Sequence, residues 1–424
     1  MSPPRSVRAQ AQGLKALRSL NFFMADMQAG VGPFLGVFLL SHGWKSGLIG
    51  TVMSFGGLAG VLMSAPAGAW VDASRRKRLL VAITGLCTMF ASAMVLLSQS
   101  FWTVAVSQVA TAIASAAIGP AVTGITLGMV GQAIFNRQNG INQAYNHAGN
   151  AAGAVLSGFL GWKFGIPAVF WLAVAFAVAA IASIALIPKD AIDDRKARGL
   201  KAKQGADDRA SGFSVLYNCK PLLALAGALA LFHLGNGAML PLYGLAVVDA
   251  KQGDPSTLVA ATVVVAQVTM VLASIVAMRA SDSRSLWILM LISFIALPVR
   301  GLIAAYLIKA WGVFPVQILD GIGAGLQSVA VPSLVARILN GTGRINVGQG
   351  SILTAQGIGA SLSPALGGWL AQWVGYGPAF LILGSFAIGS VLLWTSSAHL
   401  FTTLGKHHGL ALVARKARVR VAHG

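Results

Sequence analysis

Residues 153–161 read Gly-Ala-Val-Leu-Ser-Gly-Phe-Leu-Gly, and residues 359–367 read Gly-Ala-Ser-Leu-Ser-Pro-Ala-Leu-Gly. The second is the first displaced by 206 positions, with Gly, Ala, Leu, Ser, Leu and Gly in register. Both lie inside long apolar stretches, so the chain is expected to contain one folded membrane unit twice. A membrane chain that repeats a helical half forms its site between the halves and can expose it to each side in turn. The repeat extends further: Pro33-Phe34-Leu35-Gly36 matches Pro241-Leu242-Tyr243-Gly244 at an offset of 208, Gln143 matches Gln349 at 206, and Pro120 matches Pro332 at 212. The small drift is expected to reflect a few residues inserted in loops.

Charge is scarce and unevenly placed. Of 424 residues, 56% are hydrophobic and 10% charged, with a mean hydropathy of +0.74; a soluble chain carries about 25% charged residues. Spans near the ~20 apolar residues a bilayer requires are expected at 19–40, 48–70, 79–98, 102–126, 139–160, 167–187, 221–248, 258–278, 286–307, 312–336, 346–370 and 378–397. The net charge of +20 raises nucleic acid as a partner, but its distribution argues against one: 26 Lys and Arg fall on the side that holds both termini, four (Lys45, Lys163, Lys251, Lys309) on the other, and Arg300 inside a span. That imbalance is the positive-inside rule, so both termini are expected in the cytoplasm of a bacterial inner membrane. Trp44, Trp70, Trp102, Trp162, Trp311 and Trp373 fall at span ends, as an interfacial aromatic belt does. All 11 acidic residues are Asp, and five of them (Asp190, Asp193, Asp194, Asp207, Asp208) share one polar stretch.

That stretch is the natural boundary. The expected organisation is an N-terminal unit at 1–187, a cytoplasmic linker at 188–220 with a surface helix near Asp190–Leu200, a C-terminal unit at 221–398 and a basic tail at 399–424 able to rest on membrane lipid. Cys87 and Cys219 make neither a disulfide framework nor a metal site. No cofactor and no metal are expected, and a monomer is. The N-terminal residues MSPPRSVRAQAQ read as a short cytoplasmic tail. The 50 glycines suit close helix approach in lipid.

Across the join of the second and third spans the chain reads Gly68-Ala-Trp-Val-Asp72-Ala-Ser-Arg75-Arg76-Lys77-Arg78. The segment resembles the signature loop between helices 2 and 3 of the major facilitator superfamily, with Gly68, Asp72, Arg76 and Lys77 matching; Ala73 stands where the family usually has a base and Arg75 where it has Gly. A carboxylate at a helix end can accept charge-assisted bonds from neighbouring bases or N–H groups, so these four residues are candidates for a conformational latch. Arg284 is the faint second copy, without a matching Asp. The resemblance covers essentially the whole chain. It implies an all-α membrane protein with twelve transmembrane helices in two pseudo-symmetric six-helix bundles around a cavity. It further implies transport of a small solute by rocking, often driven by protons, and not an enzyme. A run at Gly359-x-x-x-Ser363-Pro364-x-x-Gly367-Gly368 is similar to one that family antiporters carry in helix 5, whereas helix 5 here has the weaker Gly153-x-x-x-Ser157-Gly158.

Ionisable groups inside a bilayer are costly and are functional candidates by default. Five fall within spans: Asp26, His147, His233, Arg300 and Asp320. Arg300 and Asp320 each lie ten residues from the turn near Lys309–Ala310, hence about 15 Å deep at 1.5 Å per residue. They are expected level and paired, either as a clamp within the C-terminal half or as part of coupling. At the matching places the N-terminal half has Thr88 and Gln108, and helix 4 lacks the Arg that many proton antiporters of the family carry. In helix 5, Asn142, Asn146 and Asn150 form one stripe and Asn139, Gln143 and His147 another; amides cannot face lipid unsatisfied. Solute lining is favoured over helix–helix hydrogen bonding for this face. Asp26 and His147 are expected at similar depth as proton carriers. Asn21, Gln28, Gln108, His233, Asn236, Gln349 and Gln356 complete the candidate solute contacts.

The expected function is a secondary transporter of a small hydrophilic or amphiphilic solute, moving it outward in exchange for protons. Proton-symport uptake is the nearest alternative. A non-transporting receptor or scaffold on the same fold is an alternative of another class.

Overall fold

The structure, a computed structural model, describes residues 5–29, 31–74, 76–193, 218–279, 283–339 and 345–401, and among these the regular elements are helical. They are α1 (Arg5–Ala29), α2 (Val31–Ser41), α3 (Ser46–Ala73), α4 (Lys77–Leu97), α5 (Phe101–Phe164), α6 (Pro167–Ala185), α7 (Lys220–Asn236), α8 (Met239–Asp249), α9 (Pro255–Ala277), α10 (Ser283–Tyr306), α11 (Val313–Ile338), α12 (Ile345–Val374) and α13 (Tyr376–Ser396). The expected linker meets the described residues only at its two ends, including a 3-10 turn at Lys189–Ala191; its interior and the tail beyond Phe401 lie outside them.

Each of the twelve expected windows falls on helix, but among the described residues only nine stretches are both long and apolar enough to cross a membrane. The windows at 19–40, 139–160 and 346–370 are not among them. The last two are the most amide-rich, with Asn142, Gln143, Asn146 and Asn150 in one and Asn346, Gln349 and Gln356 in the other. Side chains that meet protein lower a span's hydropathy without exposing amides to lipid.

Local chemistry sets the helix ends. Ser100 and Asp254 accept from backbone N–H groups one turn on, Ser100 from Thr103 and Asp254 from Ser256 and Thr257 at 3.1 and 2.9 Å. Pro167 and Pro255 open α6 and α9, where a missing N–H costs nothing. The 64 residues of α5 hold two arms that meet at Gly131, with φ 69° and ψ 174°, a combination open essentially only to glycine. Asn142 on the second arm donates to Thr126 on the first at 3.0 Å, so the chain reverses between them. Pro120, within the first arm, does not break the helix.

The repeat appears in the glycine caps. Gly165 ends α5 with φ 85°, donating to Gly161 at 2.9 Å; Gly375 ends α12 with φ 87°, donating to Ala371 at 3.0 Å. These caps are 210 positions apart, while Gly161 and Gly367 match at 206. The difference was expected in loops. It lies instead inside α12, which continues as helix from Gly367 to Val374 while α5 stops three residues after Gly161. Four added residues lengthen a helix by one turn, about 6 Å.

Packing divides the helices into two groups. In the first, α1 lies on α5 and α6, α4 on α5 and α6, and α3 on α5; in the second, α7 lies on α12 and α13, α9 on α11, and α10 on α11 and α13. The first group closes over Leu17, Leu20, Val71, Ile118 and Ile125. A larger core runs across both groups, with Leu35, Phe38 and Phe170 of the first and Leu225, Phe294, Phe380 and Trp394 of the second, the last donating its indole N–H to the Trp287 carbonyl at 3.1 Å.

Besides a contact between α2 and α8, two seams join the groups. In the longer, α3 runs against α12: Ser46 donates to the Gly368 carbonyl at 3.0 Å, the Gly47 N–H to Gln372 at 3.3 Å, Trp369 to Thr51 at 3.1 Å and the Ala365 N–H to Ser54 at 2.9 Å. Gly50 sits where a Cβ would overlap the Pro364 carbonyl. Gln372 belongs to the turn by which α12 exceeds α5, and Gly368 and Trp369 stand just before it. In the shorter seam, Gly158 and Gly161 of α5 approach Ala260 and Ser256 of α9. Beyond the contacts of the long seam a cavity of about 730 Å³ opens between α3 and α12, lined in part by Gly60, Ser64, Gly350 and Thr354. The halves therefore meet at the end carrying the 42–45 and 250–254 loops and part toward the other.

Candidate functional site

Three helices of the C-terminal group converge on one ion pair. Arg300 of α10 donates from Nη1 to Asp320 Oδ1 of α11 at 2.7 Å. The same Nη1 donates to Asn236 Oδ1 of α7 at 2.6 Å, and Nη2 reaches Gln317 Oε1 at 3.4 Å. Asn236 closes the ring by donating to Asp320 Oδ1 at 3.3 Å. A guanidinium 1% exposed and a carboxylate 15% exposed are affordable in this setting only as a hydrogen-bonded pair, because desolvation of either alone is not recovered.

Local folding explains the convergence. Gln317, Asp320 and Gln327 stand at i, i+3 and i+10 on α11 and so share a face. On α7, Asn236 is the last residue before a kink. There the Ala238 N–H turns to Ser363 Oγ at 2.8 Å, and Pro241 has no N–H to return to Gly237. The carbonyls of Leu234 and Gly237 thereby lose their in-helix donors. One turn before Asn236, His233 meets Gln356 of α12 at 3.0 Å between the ring Nε2 and the amide nitrogen, and Gln327 of α11 is its other partner. Gln327 also donates to Ser293 at 2.8 Å. Asn236, His233, Gln356, Arg300 and Asp320 thus form one polar patch, extended by Gln317, Gln327 and Ser293, which the sequence did not single out. The only signal was helical spacing, of Gln317 and Gln327 from Asp320 and of Ser293 from Arg300.

The N-terminal group supplies amides. Asn142 is buried and spends its amide on Thr126 while accepting from Gln138 at 2.9 Å. Asn146 donates to the Asn21 carbonyl of α1 at 3.4 Å, and Asn150 to Asn146 at 3.4 Å. Asn21 is buried and donates back to Leu17 at 2.8 Å. This stripe faces α1 and the first arm of α5, with Asn146 and Asn150 half-buried. Gln143 is exposed and Asn139 half-buried. His147 reaches across the short seam, its Nδ1 3.3 Å from Gln267 Oε1 of α9. Thr88 bonds within its own helix, and Gln108 lies against Gly56 of α3. The side chains of Asp26 and Gln28 lie outside the described residues.

The segment after α3 is organised by Lys77. Its ammonium donates to the carbonyls of Val71 and Ser74 at 2.7 and 2.9 Å, at the C-terminal end of α3, where a cation complements the helix dipole. Arg78 does the same for α6, through the Ile184 and Ala185 carbonyls at 3.2 and 2.8 Å. Arg76 is exposed and Gly68 has open space around it; the Asp72 side chain lies outside the described residues. Gln349 donates to the Pro332 carbonyl at 2.9 Å, away from the charged pair.

A family profile described as Major Facilitator Superfamily matches residues 18–346. Two proteins of Mycobacterium tuberculosis, from strains CDC 1551 / Oshkosh and H37Rv and each described as an uncharacterized MFS-type transporter, are 36% identical over 394 residues, 92% of this chain and 93% of theirs. Among solved structures, a point mutant of the nucleoside transporter NupG superposes with a TM-score of 0.72 at 16% identity, covering 92% of this chain and 99% of that one. A bacterial homolog to the human lysosomal transporter Spinster, in an inward-facing and unoccupied conformation, superposes at 0.66 with 16% identity, covering 96% and 98%. At such identities the two structures speak to the fold alone.

Proposed function

The chain belongs to the major facilitator superfamily, and from that premise we propose that it moves a small polar or amphiphilic solute across a bacterial inner membrane by alternating access, in exchange for protons and outward. The observation that carries this reading is the Arg300–Asp320 pair with Asn236. Intramembrane charge is retained where it works on a solute or an ion, and a purely structural clamp gains nothing from leaving its carboxylate partly exposed. Asp320, with His147 at the short seam and Asp26 in α1, supplies groups able to exchange protons. The outward direction rests on the antiporter-like run from Gly359 to Gly368.

In this reading 1–187 and 221–398 are the moving bundles, 188–220 is the cytoplasmic linker and 399–424 a cytoplasmic tail. The protein works as a monomer without a cofactor. Lys77 and its neighbours at the end of α3 act as the latch. The charge bias of the loops supports the orientation.

The deciding experiment is flux in vesicles reconstituted with the purified protein, loaded with a bacterial metabolite extract and read by mass spectrometry. Loss of particular solutes, accelerated when protons run the opposite way, is expected. Acceleration by protons running the same way would replace antiport with symport. Absence of any protein-dependent flux would leave a receptor or scaffold.

A further inference from the structure

The two charges at the centre of the C-terminal half are not equally available. Arg300 is sealed: Nη1 is divided between Asp320 and Asn236, Nη2 points to Gln317, and Nε is itself buried. Asp320 is the exposed member of the pair. Its Oδ1 takes both bonds, from Arg300 and from Asn236, and no bond among the described residues goes to Oδ2.

Other acceptors in the two halves have the same character. The α7 kink leaves the Leu234 and Gly237 carbonyls without in-helix donors one or two residues from Asn236. In the opposite half, Asn150 Oδ1 is buried without a hydrogen-bond partner. Arg300 is the only Lys or Arg within the twelve spans, so a sealed Arg300 leaves no cation at this depth to receive an anion.

We propose that the site recognises neutral or cationic solutes rich in hydrogen-bond donors, such as polyhydroxylated or aminated molecules, through Asp320 Oδ2, and rejects organic anions. Arg300 stands behind Asp320 as a positioning residue that orients the carboxylate without meeting the solute. This rests on the transporter reading but commits it to a substrate class. A carboxylate held in place by a buried guanidinium and an amide offers an incoming ammonium or hydroxyl a fixed acceptor. It meets an incoming carboxylate, sulfonate or phosphate with like charge in a medium that screens poorly.

The test needs no known solute. The purified full-length protein is treated with a water-soluble carbodiimide and either ethylenediamine, whose reacting form is cationic, or taurine, whose reacting free-amine form is anionic through its sulfonate. Adducts are quantified by peptide mass spectrometry and normalised to the exposed Asp249, which is open to both. The expected result is at least a tenfold preference for ethylenediamine at Asp320, lost with the adduct itself in Asp320→Asn. Phenylglyoxal should leave Arg300 unmodified in the same protein and modify it in Asp320→Ala. Equal coupling of the two amines at Asp320, no coupling there while Asp249 reacts, or modification of Arg300 in the unaltered protein would each overturn the inference. Because labelling does not depend on flux, retained flux without the preference defeats this inference alone. A retained preference without flux defeats the transporter reading alone.

Discussion

Thr51 and Trp369 are joined across the two halves of the molecule, the indole N–H donating to the threonine hydroxyl at 3.1 Å. Gly50, beside Thr51, has no room for a side chain because the Pro364 carbonyl stands in its place. Gly50→Val should therefore force the long seam apart, by overpacking that costs on the order of 1–3 kcal/mol. Spin labels at Lys45 and Trp373 should report a longer mean distance than in the parent protein. An unchanged distance distribution would mean that this seam does not hold the halves in their present arrangement.

Arg300→Ala leaves Asp320 partly buried beside amides alone, a loss on the order of 3–5 kcal/mol if the pair is dry. Arg300→Ala combined with Asp320→Ala removes the uncompensated charge and should recover much of the folded yield, measured by size-exclusion chromatography and thermal unfolding in detergent. A double variant no better than either single one would show that the two side chains do not depend on each other.

Gly131 carries φ 69° and ψ 174° at the reversal of α5. Gly131→Ala should destabilise the protein by about 1–3 kcal/mol through backbone strain, seen as a lowered Tm. A substitution such as Gly32→Ala, where a Cβ meets nothing within 4 Å and φ is not positive, should cost less. Equal Tm values for the two variants would remove the requirement for glycine at the turn.

Orientation is tested from outside the cell. A cysteine at Gly205, in the linker, should resist a membrane-impermeant thiol reagent in intact cells, and one at Gly253, in the loop before α9, should react. The reverse pattern would invert the whole assignment of sides.

Coupling is tested at Asp26 and His147. Asp26→Asn keeps the shape and removes the titration, so accumulation driven by a pH gradient should be abolished while solute exchange persists in part. His147→Gln should shift or flatten the dependence of transport on pH, since imidazole is the side chain that ordinarily titrates near neutrality. If both variants only weaken affinity and keep the parent's pH profile at saturating solute, the two residues are solute ligands and not proton carriers.

Much of this architecture is legible in the chain because membrane physics leaves few options. Apolar windows and loop charge indicate where helices run, and counting residues back from one turn was enough to set Arg300 level with Asp320. Rotation about a helix axis is harder to read. The spacing of Asn142, Asn146 and Asn150 puts them on one face, but only packing shows that this face meets α1 and the other arm of α5. The bond between His147 and Gln267 joins residues 120 positions apart; Gln267 is the one amide of an otherwise apolar α9, but which helix it faces is set by packing between the halves. Gln317 escaped notice for a related reason: an amide three residues before a charged group looks ordinary until the guanidinium it solvates is seen to be buried.

The extra turn of α12 has a mechanical consequence. It adds Gln372 to the edge of the contact that Gly368 and Trp369 already form just before it, while at the other edge α5 ends a turn sooner. Two plates fastened along a long edge and a short one do not part evenly. Opening this end has to break four hydrogen bonds on the α3 side, so separation starts at the weaker α5–α9 edge and swings about the stronger, as a door does on its hinged side.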